Sequence, residues 1–289
     1  MGTMAVEQTH PVQSLLRLTR MGINGLVAAA VLAGYFLKAG HWTMAAVAVT
    51  IGCLLLASGC SALNQVQEAD RDKLMSRTQN RPVAAGILSR RAGAFLAFAF
   101  FIGAALFLSI PSQPILYLLM AAAILLYNGI YTPMKRATPF ALLIGAVMGT
   151  FPLLFGWVAA GGSVWDREIL ILAVVFYLWQ TPHFWLLVNR YRGDYRKAGF
   201  PQVFQTLPET RYRFLIFLWI AAYLVSILLI PLFLPLQAIT RQIFSGLPAA
   251  VLVLIVLWRH NTRILFPLLN ASIVLVMILL VVDKAMRIL

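Results

Sequence analysis

Long apolar runs, each about 20 residues and separated by connections of unequal length, set the pattern of this chain. They centre on residues 22–38, 43–64, 92–110, 113–131, 139–160, 168–188, 213–234, 241–258 and 263–283. None alternates with period 2, so the pattern predicts helices and not the strands of a barrel. Gly and Pro interrupt the middle runs at Pro133, Pro139, Gly149, Pro152 and Gly156, which predicts kinked helices packed around a cavity. The expected fold is all-α: a polytopic membrane protein of nine transmembrane helices around a central cavity. It forms a single domain over residues 1–289, with 1–20 as a cytosolic lead-in.

Composition agrees, since 61% of the residues are hydrophobic and only 11% are charged, too few for a soluble domain of 289 residues. The net charge of +14 acquires its meaning from where the bases lie. With a cytosolic N-terminus, 18 of the 23 Lys and Arg fall on the cytosolic side, leaving Lys38, Arg167, Arg241, Lys284 and Arg287 on the other. That is positive-inside orientation, with the C-terminus opposite the N-terminus, and not the footprint of a nucleic-acid partner. Cys53 and Cys60 both lie in the second run, where small polarizable residues pack. The connections after the second and sixth runs are long and mixed in charge. Lying four spans apart, they give each of two four-helix units one charged cytosolic loop.

Chemistry concentrates in the first of these loops, Asn64 to Pro82. Three of the nine carboxylates of the whole chain, Glu68, Asp70 and Asp72, stand within five residues there. If the second span continues as a helix, Asn64, Glu68 and Asp72 stack along one face at i, i+4, i+8, and Asp70 points elsewhere. Two carboxylates one turn apart repel, and a cation between them removes that cost. Asn plus two carboxylates is a hard-oxygen set suited to Mg²⁺ shared with substrate phosphates. Arg77 and Arg81 follow, and Arg forks match phosphate oxygens. A solvated helix with Glu68–Arg71 and Asp70–Lys73 pairs is the plainer alternative.

Other segments reach the same face. Lys135, one turn after Tyr131, is either a membrane anchor or a group neutralising a leaving diphosphate. In the second loop Asp194 is the only carboxylate before Glu209, the residue a shared metal would need. His183 falls inside a predicted span, where an ionisable group is either functional or satisfied by a neighbouring helix. Trp179, Phe184 and Trp185 around it are either an aromatic pocket or belt residues.

Five motifs in order resemble the UbiA superfamily of intramembrane prenyltransferases, most closely its haem O synthase (protohaem IX farnesyltransferase) branch. They are Asn64-Gln-x-x-Glu68-x-Asp70-x-Asp72 through Arg77, Arg81 and Pro82; Tyr131-Thr-x-x-Lys135-Arg136; Gly149-Thr-Phe-Pro152 with Gly156-Trp157; Trp179-Gln-x-Pro182-His183-Phe184-Trp185; and Asp194-Tyr195-Arg196-x-Ala198-Gly199-x-Pro201. The resemblance implies transfer of a farnesyl group from farnesyl diphosphate to a vinyl group of haem B in the cell inner membrane. It implies Mg²⁺ held by Asn64, Glu68, Asp72 and Asp194, and leaving diphosphate charge taken up by Arg77, Arg81, Lys135 and Arg136. His183, Trp179 and Trp185 would contact the acceptor. Partners on this view are farnesyl diphosphate, haem B, the lipid bilayer and hand-over proteins of terminal-oxidase haem supply, with no nucleic acid.

The chain departs from the family pattern in four places. Glu68 stands where Asp is usual, Thr181-Pro182 where Pro-Pro is common, Gln202-Val203 where Met-Leu is common, and Arg20-Met21 where Lys-Pro is usual. The rival readings are prenyl transfer to another acceptor (an aromatic acid or other tetrapyrrole), an ion-coupled transporter, and a structural assembly factor. Acids at one mouth and not at the midplane disfavour a transporter.

Overall fold

The computed structural model describes residues 11–257 and 261–289, and among them all regular structure is helical. The first ten residues of the expected lead-in, and Arg259 among the bases expected on the cytosolic side, lie outside the described residues. The helices are α1 (Pro11–Thr19), α2 (Met21–Ala39), α3 (Met44–Asp72), α4 (Arg90–Leu108), α5 (Ile115–Ile124), a π-helical turn (Leu125–Tyr131), α6 (Thr132–Met134), α7 (Ala141–Val147) and α8 (Phe151–Ala159). They continue with α9 (Arg167–Arg190), α10 (Arg192–Lys197), α11 (Val203–Thr206), α12 (Glu209–Phe233), α13 (Ala238–Leu257) and α14 (Thr262–Ile288). Among the described residues, eight helices are long and apolar enough to cross a membrane. The bent pair Gln13–Thr19 and Asn24–Ala39, meeting at 53°, makes a ninth. The nine apolar runs therefore each become a helical span, the fourth and fifth broken internally. The end of the lead-in is helical: α1 lays its last carbonyls on α3, where Ser61 Oγ and Gln65 Nε2 donate to the Leu18 carbonyl at 2.9 and 3.1 Å.

Close packing in the bundle rests on glycine where two backbones meet. A Cβ on Gly156 of α8 would lie 1.9 Å from the Val31 carbonyl oxygen of α2, and one on Gly34 of α2 would lie 2.2 Å from the Leu153 oxygen of α8. The two helices thus touch through backbone at two successive levels, as membrane helices do when small residues line a seam. The break expected at Gly156 is instead this contact; the chain breaks at residues 148–150, between α7 and α8. The last helix, α14, packs on both α9 and α2, so the end of the chain meets its beginning. On the outside, α4 presents Phe95, Phe98, Ile102 and Leu106, all exposed, as an apolar stripe fit for lipid and not for water.

At the end of the bundle away from the charged loops, Asp166 ties three helices together. Its Oδ2 accepts from Lys38 Nζ at 2.9 Å, Trp157 Nε1 at 2.8 Å and the Ser163 amide at 3.0 Å. The Lys38 and Trp157 hydrogen bonds hold its carboxyl below the usual carboxylate range. Asp283, fully buried on α14, accepts from the Gln237 amide at 2.9 Å and so fixes the turn between α12 and α13.

The glycine seam makes a paired prediction. Gly156→Ala must force α2 and α8 apart, costing about 1–3 kcal/mol and lowering the melting temperature of the detergent-purified protein. Gly25→Ala, on the same α2 but with nothing within 4 Å of its Cβ, should be neutral or stabilising by up to about 1 kcal/mol. Equal melting temperatures for the two variants would remove the close-approach role of Gly156.

Candidate active site

α3 runs 29 residues and carries its helical register past the apolar run, so Asn64, Glu68 and Asp72 do share one face. That face is turned inward: the three residues are 0%, 5% and 3% exposed. Asp70 points the other way and pairs with Arg90 at 2.5 Å on the surface. The local Glu68–Arg71 and Asp70–Lys73 pairing does not form, because the inward face is met by cations from distant segments.

Lys135, delivered by the turn after α6, lies 2.7 Å from Glu68 Oε1 and 2.8 Å from Oε2. Arg81, from the loop after α3, places one Nη1 at 2.7 and 2.8 Å from the two oxygens of Asp72. Between them, Asn64 Nδ2 donates to Glu68 Oε2 at 3.0 Å and to Thr132 Oγ1 at 3.1 Å. A third cation, Arg20, donates to Asn64 Oδ1 at 3.4 Å and to the Tyr127 hydroxyl at 3.5 Å. Arg20 sits in the left-handed region at φ 54, a conformation that costs a non-glycine residue about 1–3 kcal/mol and that turns its side chain into the cluster at the α1–α2 bend. Three cations face two carboxylates, a net positive site. Burial, then the neighbouring Arg20, holds the Arg81 guanidinium below its usual pKa, as expected where like charges crowd.

The π-helical turn shapes this side of the site. It gives Asn128 the reach to donate to the Cys60 carbonyl (3.1 Å) and to Gln67 Oε1 (3.2 Å), while Gln67 Nε2 returns a bond to the Asn128 carbonyl (3.0 Å). π-turns recur at functional sites because they re-aim side chains within a helix. Tyr131, at its end, lies under Lys135 (4.8 Å) and stacks on Phe184 of α9 (6.5 Å).

Beside the charged cluster lies a cavity of about 190 Å³. Arg20 and Tyr127 border its charged end; Cys53, Leu56, Phe151 and Phe155 line it further in. Cys53 is eleven residues from Asn64 on α3, about 16 Å at 1.5 Å per residue. Both cysteines are free and buried, as expected of packing thiols.

The remaining expected residues divide. Arg77 and Arg136 are exposed: Arg77 lies over the Tyr191 ring at 5.3 Å, and Arg136 donates to the Gln67 carbonyl. Asp194 does not join Glu68 and Asp72. Its Oδ2 is taken by the Ser76 hydroxyl at 2.6 Å and the Arg77 amide at 3.2 Å, which latches the first charged loop to the second. No group of three or more His, Cys, Asp and Glu suited to a metal occurs among the described residues. The two carboxylates and Asn64 still match what Mg²⁺ asks, because that ion takes one or two carboxylates and completes its shell with water and phosphate. Glu68 Oε1 meets only the Lys135 ammonium, at 2.7 Å, so it is the oxygen that opens when that cation turns to an anion. His183 and Trp179 meet on α9, with ring centres 5.0 Å apart. Trp185 faces away from His183, with its ring against Trp219 of α12 and its carbonyl accepting from the Tyr212 hydroxyl, because positions two apart on a helix diverge by about 200°.

The UbiA prenyltransferase family model matches residues 27–279. The chain belongs to this family. A protoheme IX farnesyltransferase of Oleidesulfovibrio alaskensis is 42% identical, over 92% of this chain and 95% of the relative, and one of Nitratidesulfovibrio vulgaris is 35% identical, over 92% and 93%. The fold is that of a solved UbiA homolog from Archaeoglobus fulgidus bound to GPP and Mg²⁺, with TM-score 0.72, 16% identity, and 94% of this chain and 99% of that one covered. A structure from work on digeranylgeranylglyceryl phosphate synthase has TM-score 0.75 at 14% identity, covering 95% and 98%. In this UbiA-family chain, Tyr127 and Asn128 are candidate site residues outside the quoted motifs, Thr132 stands in one of them with no role assigned, and Arg20 is marked only as a departure from the family pattern. A lone Arg before an apolar run reads as an orientation signal, and only its left-handed backbone reveals the turn inward.

The Asp194 latch predicts a pH response. The Ser76 hydroxyl, and with it the Arg77 amide, lowers the Asp194 pKa, so its contribution is complete above the unfolded carboxylate value of about 3.9 and is lost as pH falls through the lower folded value. Amide exchange at Arg77 should therefore show constant protection from the latch between pH 5 and 8, and Asp194→Asn should reduce it across that range. Protection unaffected by Asp194→Asn would dismiss the latch.

Proposed function

We propose that the protein transfers a farnesyl group from farnesyl diphosphate to a vinyl group of haem B, releasing diphosphate and, with addition of water, giving haem O. The observation that carries this reading is the buried Asn64–Glu68–Asp72 face, counter-charged by Arg20, Arg81 and Lys135, beside a largely apolar cavity that Arg20 also lines. Such a site takes a molecule that is charged at one end and oily along its length. The names of the 35–42% identical relatives supply the acceptor.

In this mechanism, Arg81 and Lys135 exchange their carboxylate partners for diphosphate oxygens, and Arg20 contributes a third cation beside the cavity. Their charge stabilises the leaving diphosphate as the C1–O bond breaks, where preorganised donors lower the barrier most. Asn64, Glu68 and Asp72, released by the cations, would hold Mg²⁺, which supplies further neutralisation of the diphosphate when bound. Arg77 and Arg136 extend the positive rim around the mouth. The dry cavity keeps water from the allylic cation until the vinyl carbon attacks it. Water then adds to the resulting benzylic-type cation and gives up a proton. His183 and Trp179 contact the acceptor; Trp185 supports α9 from behind. The enzyme works in the inner membrane with its N-terminus cytosolic and its C-terminus opposite, and receives and passes on haem through hand-over partners of terminal-oxidase supply.

Purified protein with Mg²⁺, farnesyl diphosphate and haem B should yield a product heavier than haem B by a farnesyl group plus a hydroxyl, the elements of farnesol, read by mass spectrometry. Asp72→Asn should lower kcat by about 10²–10³-fold, and exhaustive chelation should stop wild-type turnover. Untouched haem alongside prenylation of an aromatic acid or another tetrapyrrole would overturn the acceptor.

A further inference from the structure

One half-buried polar pair on the acceptor side is not explained by diphosphate chemistry. His183 of α9 and Asn270 of α14 face each other with His183 Nδ1 2.7 Å from Asn270 Oδ1. An amide oxygen only accepts hydrogen bonds. Nδ1 therefore carries the proton, and in the neutral ring the lone pair is left on Nε2. The ring is held on its other sides by aromatic groups: Phe266 of α14 at 4.9 Å, Trp179 at 5.0 Å and Phe184 at 5.7 Å. Trp179 is itself fixed to α14, donating from Nε1 to the Leu269 carbonyl at 3.1 Å. Three consecutive features of α14, one turn apart or adjacent, thus build half of the setting for a single imidazole on α9.

We infer that Asn270 is a positioning residue for the acceptor: it fixes the His183 tautomer and ring orientation so that Nε2 ligates the acceptor's iron. This rests on the reading of haem B as acceptor. A histidine that ligates a metal through one nitrogen characteristically donates from the other to a protein oxygen, which fixes the ring and raises its basicity. The pair has that form, and α14, a span without catalytic motifs, supplies it. A polar contact that merely joins two membrane helices is the competing account. It would place no requirement on which atom accepts the Nδ1 proton.

The experiment is a titration of ferric haem B into the detergent-purified full-length protein, read as Soret position and dissociation constant, with magnesium-dependent farnesyl diphosphate binding measured in parallel as the test of fold. Asn270→Ala should weaken haem binding by about 10–100-fold and move the Soret band to the position given by His183→Ala. Asn270→Asp, whose carboxylate accepts the same Nδ1 proton, should restore affinity and spectrum to near wild type. If Asn270→Ala fails to bind farnesyl diphosphate, Asn270→Leu, closer to Asn in volume, takes its place. A wild-type spectrum and affinity in the Ala or Leu variant, even at a lowered melting temperature, would reduce the pair to helix glue and overturn the inference while leaving the acceptor intact. Wild-type protein that binds farnesyl diphosphate but no haem would overturn the acceptor reading and this inference with it.

Discussion

Two carboxylates buried in a lipid-embedded bundle, Glu68 and Asp72, organise the half of this protein that carries the charged loops. At 5% and 3% exposure both need a counter-charge, because an uncompensated buried charge costs several kcal/mol. The partners come from separate places: Lys135 after the π-helical turn, Arg81 from the loop beyond α3, and Arg20 alongside through Asn64. Ion pairs of this kind add little net stability over apolar packing. They serve to gather three chain segments around one face and to hold cations that an incoming anion can claim.

The rest of the bundle makes that face usable. Backbone contact at Gly34 and Gly156 draws α2 and α8 together. Beside this seam a cavity runs from Arg20 towards Cys53, apolar along its length and charged at one end. The loops above it are not loose, since Asp194 binds Ser76 and the Arg77 amide, and Phe200 packs with Met75 under Arg71. At the far end Asp166 binds Lys38 and Trp157, so both ends of the bundle are fastened by carboxylates while lipid covers the sides.

What could be read from the chain was what depends on local periodicity. Helical spacing alone places Asn64, Glu68 and Asp72 on one face and Asp70 off it, and hydropathy locates every span to within a few residues. Pairings over long separations were not legible. Glu68 meets Lys135 across 67 positions and His183 meets Asn270 across 87, and no spacing rule connects them. Arg20 looks like any basic residue flanking a span, because its role depends on a left-handed backbone at a helix bend. The π-helical turn is equally silent, as it adds a residue to a turn without a composition of its own. Grouping Trp185 with His183 follows from their adjacency in a motif, and the helix itself separates them.

The most direct test of the central claim is an experimental structure with Mg²⁺ and an unreactive thio-analogue of farnesyl diphosphate. The account predicts the diphosphate among Arg20, Arg81 and Lys135, with Glu68 and Asp72 released from their ion pairs to face the metal and the chain extending towards Cys53. A diphosphate bound elsewhere, with the Lys135–Glu68 and Arg81–Asp72 pairs intact, would contradict it.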